Sequence, residues 1–341
     1  MKRILFLAIA TVFAAHLHVR DVAATPLYEG KTIRIIVGYQ AGGGFDAYAR
    51  LVARHMGKYI AGYPKFVIEN MVGAGSLISA NYLFNAAKPD GLTIAHFSGG
   101  HFISQILNKP GIEFDARKFE YIGAPLREDS AFVFSRASGV TSLEKWISSK
   151  VPVKLGGCAP GAHTPDNVIR IAAATVRLPI QLVSGYKGIP DIRLAIESGE
   201  LAGSCWTWSN VKAGWSKKLQ SGDAIAVLQA VPKPFSDLRE VPLLIDLAKT
   251  EEDRQLIDVG VHDNSISARP FALPPGTNKD LVRILRKAFQ LTFEDREFLL
   301  EAEKANLEPG LVTGEEIENA VLKIFKISTS LRVRLDDILF R

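Results

Sequence analysis

The residues best suited to chemistry stand in short glycine-bearing loops. Gly38-Tyr39-Gln40-Ala41-Gly42-Gly43-Gly44-Phe45-Asp46 follows a β-rich run and precedes a helix-spaced one. A glycine-rich turn at such a junction leaves backbone N–H groups free at a helix start. These groups and the partial positive charge of the helix end attract anions. Consecutive glycines also let a ligand approach the main chain, and Gly43 is expected at a positive φ that a side chain would penalise. Asp46 reads as the N-cap of the helix. Its carboxylate suits the loop to a small acid better than to a pyrophosphate. Related loops recur at Gly73-Ala74-Gly75-Ser76, Ser98-Gly99-Gly100 and Gly161-Ala162-His163-Thr164. Open α/β sheets bind ligands beyond the carboxyl ends of their strands, so these loops are expected to line one crevice.

Side chains around the loops supply further candidates. His101 and His163 stand beside them, and Tyr186 rises from Gly185-Tyr186-Lys187-Gly188. Trp206 and Trp208, flanking Thr207, read either as an apolar cleft wall or as core. Catalytic signatures are thin, with no His-Glu-x-x-His, Gly-x-Ser-x-Gly or Cys-x-x-Cys in the chain. His55, His96, His101, His163 and His262 include no pair at zinc-ligand spacing, and His55 reads as packing or surface. Gly42-x-Gly44-x-x-Ala47 with Glu69 formally satisfies a dinucleotide fingerprint, which makes a nicotinamide-dependent oxidoreductase the rival reading. Gly30-Lys31-Thr32 fails as a phosphate-binding loop, because Thr25 replaces the first glycine and a strand follows.

The elements that must position these loops alternate. Lys31–Val37, Phe66–Ile68 and Leu92–Ala95 read as strands, with helical spacing over Asp46–Tyr59 and Ser76–Ala87. The rhythm restarts with strands at 151–155, 180–183 and 201–205, Thr164 and Pro165 opening one helix and Pro190 the next. The first strand of this half should lie between the second and third, placing Cys158 and Cys205 at neighbouring strand ends. A disulfide there is geometrically conceivable, and two buried free thiols are the alternative. Residues 280–306 and 315–335 read as helices. Repeated β-loop-α units imply parallel sheets flanked by helices.

Composition and the N-terminus bound the setting. The 341 residues are 47% hydrophobic and 23% charged, an ordinary globular balance that fits two domains. Met1-Lys2-Arg3, the apolar run 4–15 and Val22-Ala23-Ala24 have the layout of a secretory signal peptide over 1–24. The apolar run is too short for a membrane span. The net charge of +5 then falls to +3, because Lys2, Arg3, Arg20 and Asp21 leave together. Acidic and basic residues interleave throughout, so the chain lacks the basic stripe of a nucleic-acid binder.

In combination, several segments resemble the Bug-type (TctC-like) periplasmic solute-binding proteins of tripartite tricarboxylate transporters. They are Ile35-Ile36-Val37 followed by Ala41–Asp46 and Ala49-Arg50, Glu69-Asn70 with Gly73-Ala74-Gly75, and Pro89-Asp90-Gly91. Tyr186-Lys187-Gly188, Arg269-Pro270 and Pro274-Pro275-Gly276-Thr277 complete the set. The resemblance implies a two-lobed class II periplasmic-binding-protein fold, α/β, with a mostly parallel sheet in each lobe. Lobe one would comprise 25–125 plus 243–341, and lobe two 126–242. It implies a non-enzymatic, cofactor-free, monomeric periplasmic receptor for a small organic carboxylate. Two membrane permease subunits would be its partners, and a sensor role for the same ligand is the alternative. The ligand-binding residues would be Tyr39, Ala41, Gly43, Gly44, Phe45, Asp46, Gly75, Ser76, Ser98, His101, Ala162, His163, Thr164, Tyr186, Trp206 and Thr207. Gly38, Ala41, Ser76 and the Cys205–Trp208 stretch depart from the family's usual residues at these loops.

Overall fold

The computed structural model describes residues 27–158 and 163–340, so the signal-peptide segment and Ala162 lie outside the described residues. Its first sheet starts with β1 (Thr32–Val37), α1 (Gly44–Met56), β2 (Lys65–Asn70), α2 (Leu77–Asn85), β3 (Thr93–His96) and α3 (Gly100–Ile106). β4 (Glu120–Ala124) then ends the first run, and the chain crosses over to β5 (Ser130–Ser135). The second sheet is built with α4 (Leu143–Ile147), β6 (Val153–Gly156), α5 (Val168–Val176), β7 (Ile180–Val183), α6 (Ile189–Glu197), β8 (Gly203–Thr207), α7 (Trp208–Ser221) and β9 (Ala224–Ala230). After α8 (Glu251–Ile257) and α9 (Asn264–Ile266), β10 (Phe271–Leu273) returns to the first sheet. α10 (Lys279–Glu294), α11 (Arg296–Lys304), β11 (Val312–Thr313), α12 (Gly314–Lys326) and α13 (Thr329–Phe340) complete the chain.

The strand orders are β11-β4-β10-β3-β1-β2 and β7-β6-β8-β5-β9. β1 runs parallel to β2 and β3, and β6 runs parallel to β7 and β8, so each lobe carries the expected central first strand. β10, β11 and β5 run opposite to the other strands of their sheets. This is a two-lobed α/β architecture, but both sheets are mixed where mostly parallel ones were expected, because the returning strands β10 and β11 and the crossing strand β5 pair antiparallel. Period-2 patterning explains the layering: Ile33, Ile35 and Val37 pack with Val52, Met56 and Phe289 on one face, whereas Ile36 meets Ala80, Leu83 and Phe97 on the other. A strand buried on both faces needs such continuous apolar character.

Elements after residue 243 divide between the lobes. α10 and α12 cover β4, whereas α8 and α13 pack on α5 beside the second sheet. The two tail helices expected at 280–306 and 315–335 are four. Asp295 ends α10 and caps α11 by accepting from Glu297 N, and Ile327–Ser328 separates α12 from α13. No described helix is long and apolar enough to cross a membrane. Cys158 and Cys205 are both free thiols. Their strand ends are neighbours, but Cys205 points into the α5 side of the sheet and Cys158 packs on the α6–α7 side. Opposite faces keep the sulfurs apart, which corrects the disulfide geometry expected from strand order.

Candidate functional site

The loop after β1 is held open by its own helix and by the next strand. α1 starts at Gly44 with Gly43 as N-cap and no side-chain cap, so Asp46 is not the cap but the third helical residue. From there it reaches backwards. Its Oδ2 accepts from Gly42 N at 2.9 Å and from Arg50 Nε at 2.8 Å, and its Oδ1 accepts from Asn70 Nδ2 at 2.9 Å. Burial alone would raise the Asp46 pKa, but the bonds from Arg50, Gly42 and Asn70 outweigh it and bring it to about 2. Asn70 also donates to Tyr39 O at 2.9 Å, so the end of β2 stitches both sides of the loop. Gly42, not Gly43, carries the positive φ, at 84°; Gly43 is extended at φ −79° and ψ 169°. A Cβ on Gly43 would meet nothing nearer than Gln40 O at 3.5 Å. The loop surface there is open, and the first N–H groups of α1 lie behind it.

The neighbouring loops brace this one. A Cβ on Gly38 would lie 2.2 Å from Ser76 Cβ, so only glycine lets the turn after β2 pack on the end of β1. That turn places Ala74, Gly75 and Ser76 at φ 46°, 62° and 77°. Ser76 is fully buried and its Oγ accepts from Ser98 N at 2.8 Å. The Tyr39 hydroxyl and His101 Nε2 both donate to Gly75 O, at 3.2 and 2.7 Å. Ser98 Oγ accepts from Gly100 N at 3.2 Å. Burial lowers the His101 pKa and raises that of Tyr39, so both are neutral donors. Under the loop the rings of Tyr39, Phe45, His96 and Phe271 stack in series, with centroids 4.3, 4.8 and 4.0 Å apart. Burial pushes His96 down to about 3, and its Nδ1 donates to Pro270 O. Tyr39, Phe45, Gly75, Ser76, Ser98 and His101 therefore form one neutral, internally bonded platform.

Lobe two repeats the device. Asp166, fully buried, accepts from Cys158 N at 2.5 Å after β6 and from Ser184 Oγ at 2.6 Å after β7. Asp166 and Ser184 thus stand to β6 and β7 as Asp46 and Asn70 stand to β1 and β2. Gly157 is tight against this clamp, its Cβ position 2.6 Å from Asp166 Oδ1. His163 and Thr164 belong to the wide helical turn His163–Asn167 that leads into α5. The expectation of Thr164 as N-cap gives way to that turn.

Other predicted side chains lie elsewhere. Trp206 is 1% exposed and packs with Trp215 beneath α6 and α7, because its register position on β8 faces that core. Tyr186 packs on the same cluster and its hydroxyl donates to Glu200 at 2.6 Å. Trp208 is buried, with Nε1 donating to Asp237. Thr207 and Gly44 instead share a cavity of about 310 Å³ between the lobes, together with Arg269 and Asn210. Sequence reasoning missed Asp166, Ser184 and Asn210, and it read Asn70 and Arg269 only as part of the resemblance, with no role in the site. An acid just inside the helix after each glycine loop was the legible signal for the clamps. Among the described residues, one grouping has metal-ligand chemistry: His55, Asp295 and Glu297, at the far end of α1. Lys58 already supplies the cation to both of its carboxylates.

No family model matches the chain. A UPF0065 protein in the gbd 5'region of Cupriavidus necator is 24% identical over 292 residues, covering 84% of this chain and 82% of that protein. UPF0065 proteins are the Bug family. The chain superposes on a TctC solute-binding protein from Polaromonas with a TM-score of 0.69 at 16% identity, covering 91% of this chain and 98% of that one. MatC from Rhodopseudomonas palustris, solved with malate, gives 0.61 at 17% identity over 91% and 99%. An R. palustris protein solved with adipate gives 0.62 at 19% identity over 91% and 97%. The likeness shows that the chain shares the fold of these proteins, and the resemblance to TctC-like proteins read from the loops is borne out.

Proposed function

We propose that this chain is a periplasmic receptor that captures a small organic carboxylate between its lobes and delivers it to a tripartite tricarboxylate-type transporter. The large and small permease subunits would be its partners, and residues 1–24 its export signal. The observation that carries the reading is the pair of clamped loops. Asp46 and Asp166, each buried and bonded to a backbone N–H, hold the strand-end loops of the two lobes in set shapes. Preorganised main-chain donors bind an anion without paying to order themselves. The platform of Tyr39, Gly75, Ser98 and His101 brings no charge of its own, so the ligand's anionic group meets main-chain amides beside a neutral surface. The bound malate and adipate of two proteins with this fold support the carboxylate class.

A thermal-shift screen of mono-, di- and tricarboxylates on the chain from residue 25 tests the proposal. An acid present at a hundred times its Kd stabilises the folded state by about 2.7 kcal/mol, a resolvable shift. A screen in which no carboxylate shifts the transition, while a neutral sugar or a nicotinamide cofactor does, refutes it.

A further inference from the structure

Arg269 sits on the segment that returns from lobe two to β10, and its side chain is 17% exposed. Its Nε donates to Glu128 at 2.6 Å, a residue on the other crossing between the lobes. The guanidinium carbon lies 4.7 Å from the centroid of the Phe45 ring. These two contacts fix the direction of the side chain and occupy one of its five N–H donors. Among the described residues, Nη1 and Nη2 form no hydrogen bond. Nη1 lies 3.2 Å from the position a Cβ on Gly44 would take, so the free edge of the guanidinium stands beside the first residue of α1.

In front of that edge is the cavity of about 310 Å³ between the lobes, lined also by Tyr48, Thr207, Ser209, Asn210 and Asn306. Glu308 is the acid on its wall, and Lys212 lies 3.7 Å from that carboxylate. Asn210 Nδ2 is already spent on Thr207 Oγ1 at 2.6 Å, which fixes the amide. The cavity therefore offers one oriented fork of unused cationic donors among small polar groups. A guanidinium held by one carboxylate through Nε keeps its terminal nitrogens for a second carboxylate in bidentate geometry.

We infer that Arg269 is a specificity-determining residue that reads a second carboxylate on the ligand, with Glu128 as its positioning residue. The ligand class is then a short, flexible dicarboxylate reaching from the Gly42–Phe45 loop into this cavity. The inference rests on the carboxylate-receptor reading and deepens it. It also gives Gly44 a role beyond the turn, because any side chain there would displace Nη1.

The test is calorimetric titration with two matched sets, succinate, glutarate and adipate against butyrate, pentanoate and hexanoate. Wild type should prefer at least one diacid over its monoacid by about tenfold or more, the difference a charge-assisted bidentate contact makes. Arg269→Gln should lower that diacid's affinity by about tenfold while leaving the monoacid within about twofold. Arg269→Lys should recover part of the preference, since it keeps the charge but not the fork. Glu128→Gln, which leaves the Arg269 charge in place and loosens its direction, should also reduce the preference, and it serves where Arg269→Gln does not fold. A wild type that binds monoacids as tightly as diacids overturns the inference alone. Parallel loss of both ligands in the variants also overturns it, because a hinge or folding role does not discriminate. A wild type that binds neither set overturns it together with the receptor reading.

Discussion

Replacing Asp46 with Asn tests the loop clamp most sharply, because the carboxylate's stabilisation can be worked from its surroundings. The folded pKa is about 2 against an ordinary value of 3.8. A depressed carboxylate pKa stabilises the fold above its unfolded value, and that stabilisation disappears as pH falls through the folded one. At 1.36 kcal/mol per pKa unit, the Asp46 charge contributes about 2.5 kcal/mol at pH 7. About half of this remains at pH 3 and about 0.4 kcal/mol at pH 2. Asn keeps the shape but offers one acceptor where Gly42 N, Arg50 Nε and Asn70 Nδ2 require two oxygens. It also turns an amide NH₂ towards one of these donors. Asp46→Asn should therefore unfold about 2 kcal/mol more easily at pH 7, and the gap from wild type should close between pH 4 and pH 2. Urea denaturation followed by tryptophan fluorescence at pH 7, 4 and 3 measures it. A penalty below about 0.5 kcal/mol at pH 7, the size of an exposed substitution, would show that the carboxylate is not clamping the loop. A penalty that stays constant down to pH 3 would show that its charge is irrelevant.

Asp166→Asn should also lower the unfolding midpoint at pH 7 while leaving the Asp46 effect additive, since the two clamps share no partner. Gly38→Ala should cost about 3 kcal/mol or more in urea denaturation, because the new Cβ lands 2.2 Å from Ser76 Cβ; a cost under 1 kcal/mol would refute the close approach of the two loops. Alkylation without reductant should count two thiols in the unfolded protein, with Cys205 reacting only after unfolding because burial both hides it and raises its pKa well above the ordinary value. A count of zero without reductant would restore the disulfide.

The core of each lobe was legible because continuous β-branched runs and glycine loops repeat at regular intervals. Ile180–Val183 was bounded as observed, and the strand at Lys31–Val37 differs by one residue. β4 and β5 escaped notice because Glu120–Ala124 and Ser130–Ser135 carry no flanking glycine loop and helix to mark them. β10 and β11 have three and two residues and exist only through pairing with β3 and β4. The break at Asp295 was hidden by helical spacing that continues through it. At the site, the glycine loops announced where a ligand could approach, but partners distant in sequence could not be read. Asn70, Ser184 and Arg269 act through contacts made only when strand ends and crossings meet. Trp206 shows the limit of loop proximity, since one step of strand register sends its ring into the core and leaves Thr207 facing the cleft.

The central claim is that the Gly42–Phe45 loop holds a carboxylate through its main chain. Gly43→Val is the direct probe, because its extended φ and the open space around its Cβ let the variant fold with only the approach to the amides blocked. Gly43→Val should lose no more than about 1 kcal/mol of stability, the cost of a poorer N-cap, and stay folded. In calorimetric titration with the acid that most stabilises the wild type, the variant should lose about a hundredfold or more in affinity, the cost of two or more lost charge-assisted bonds. Equal affinities in the two proteins would show that the loop is only a turn and that the carboxylate binds elsewhere in the cleft.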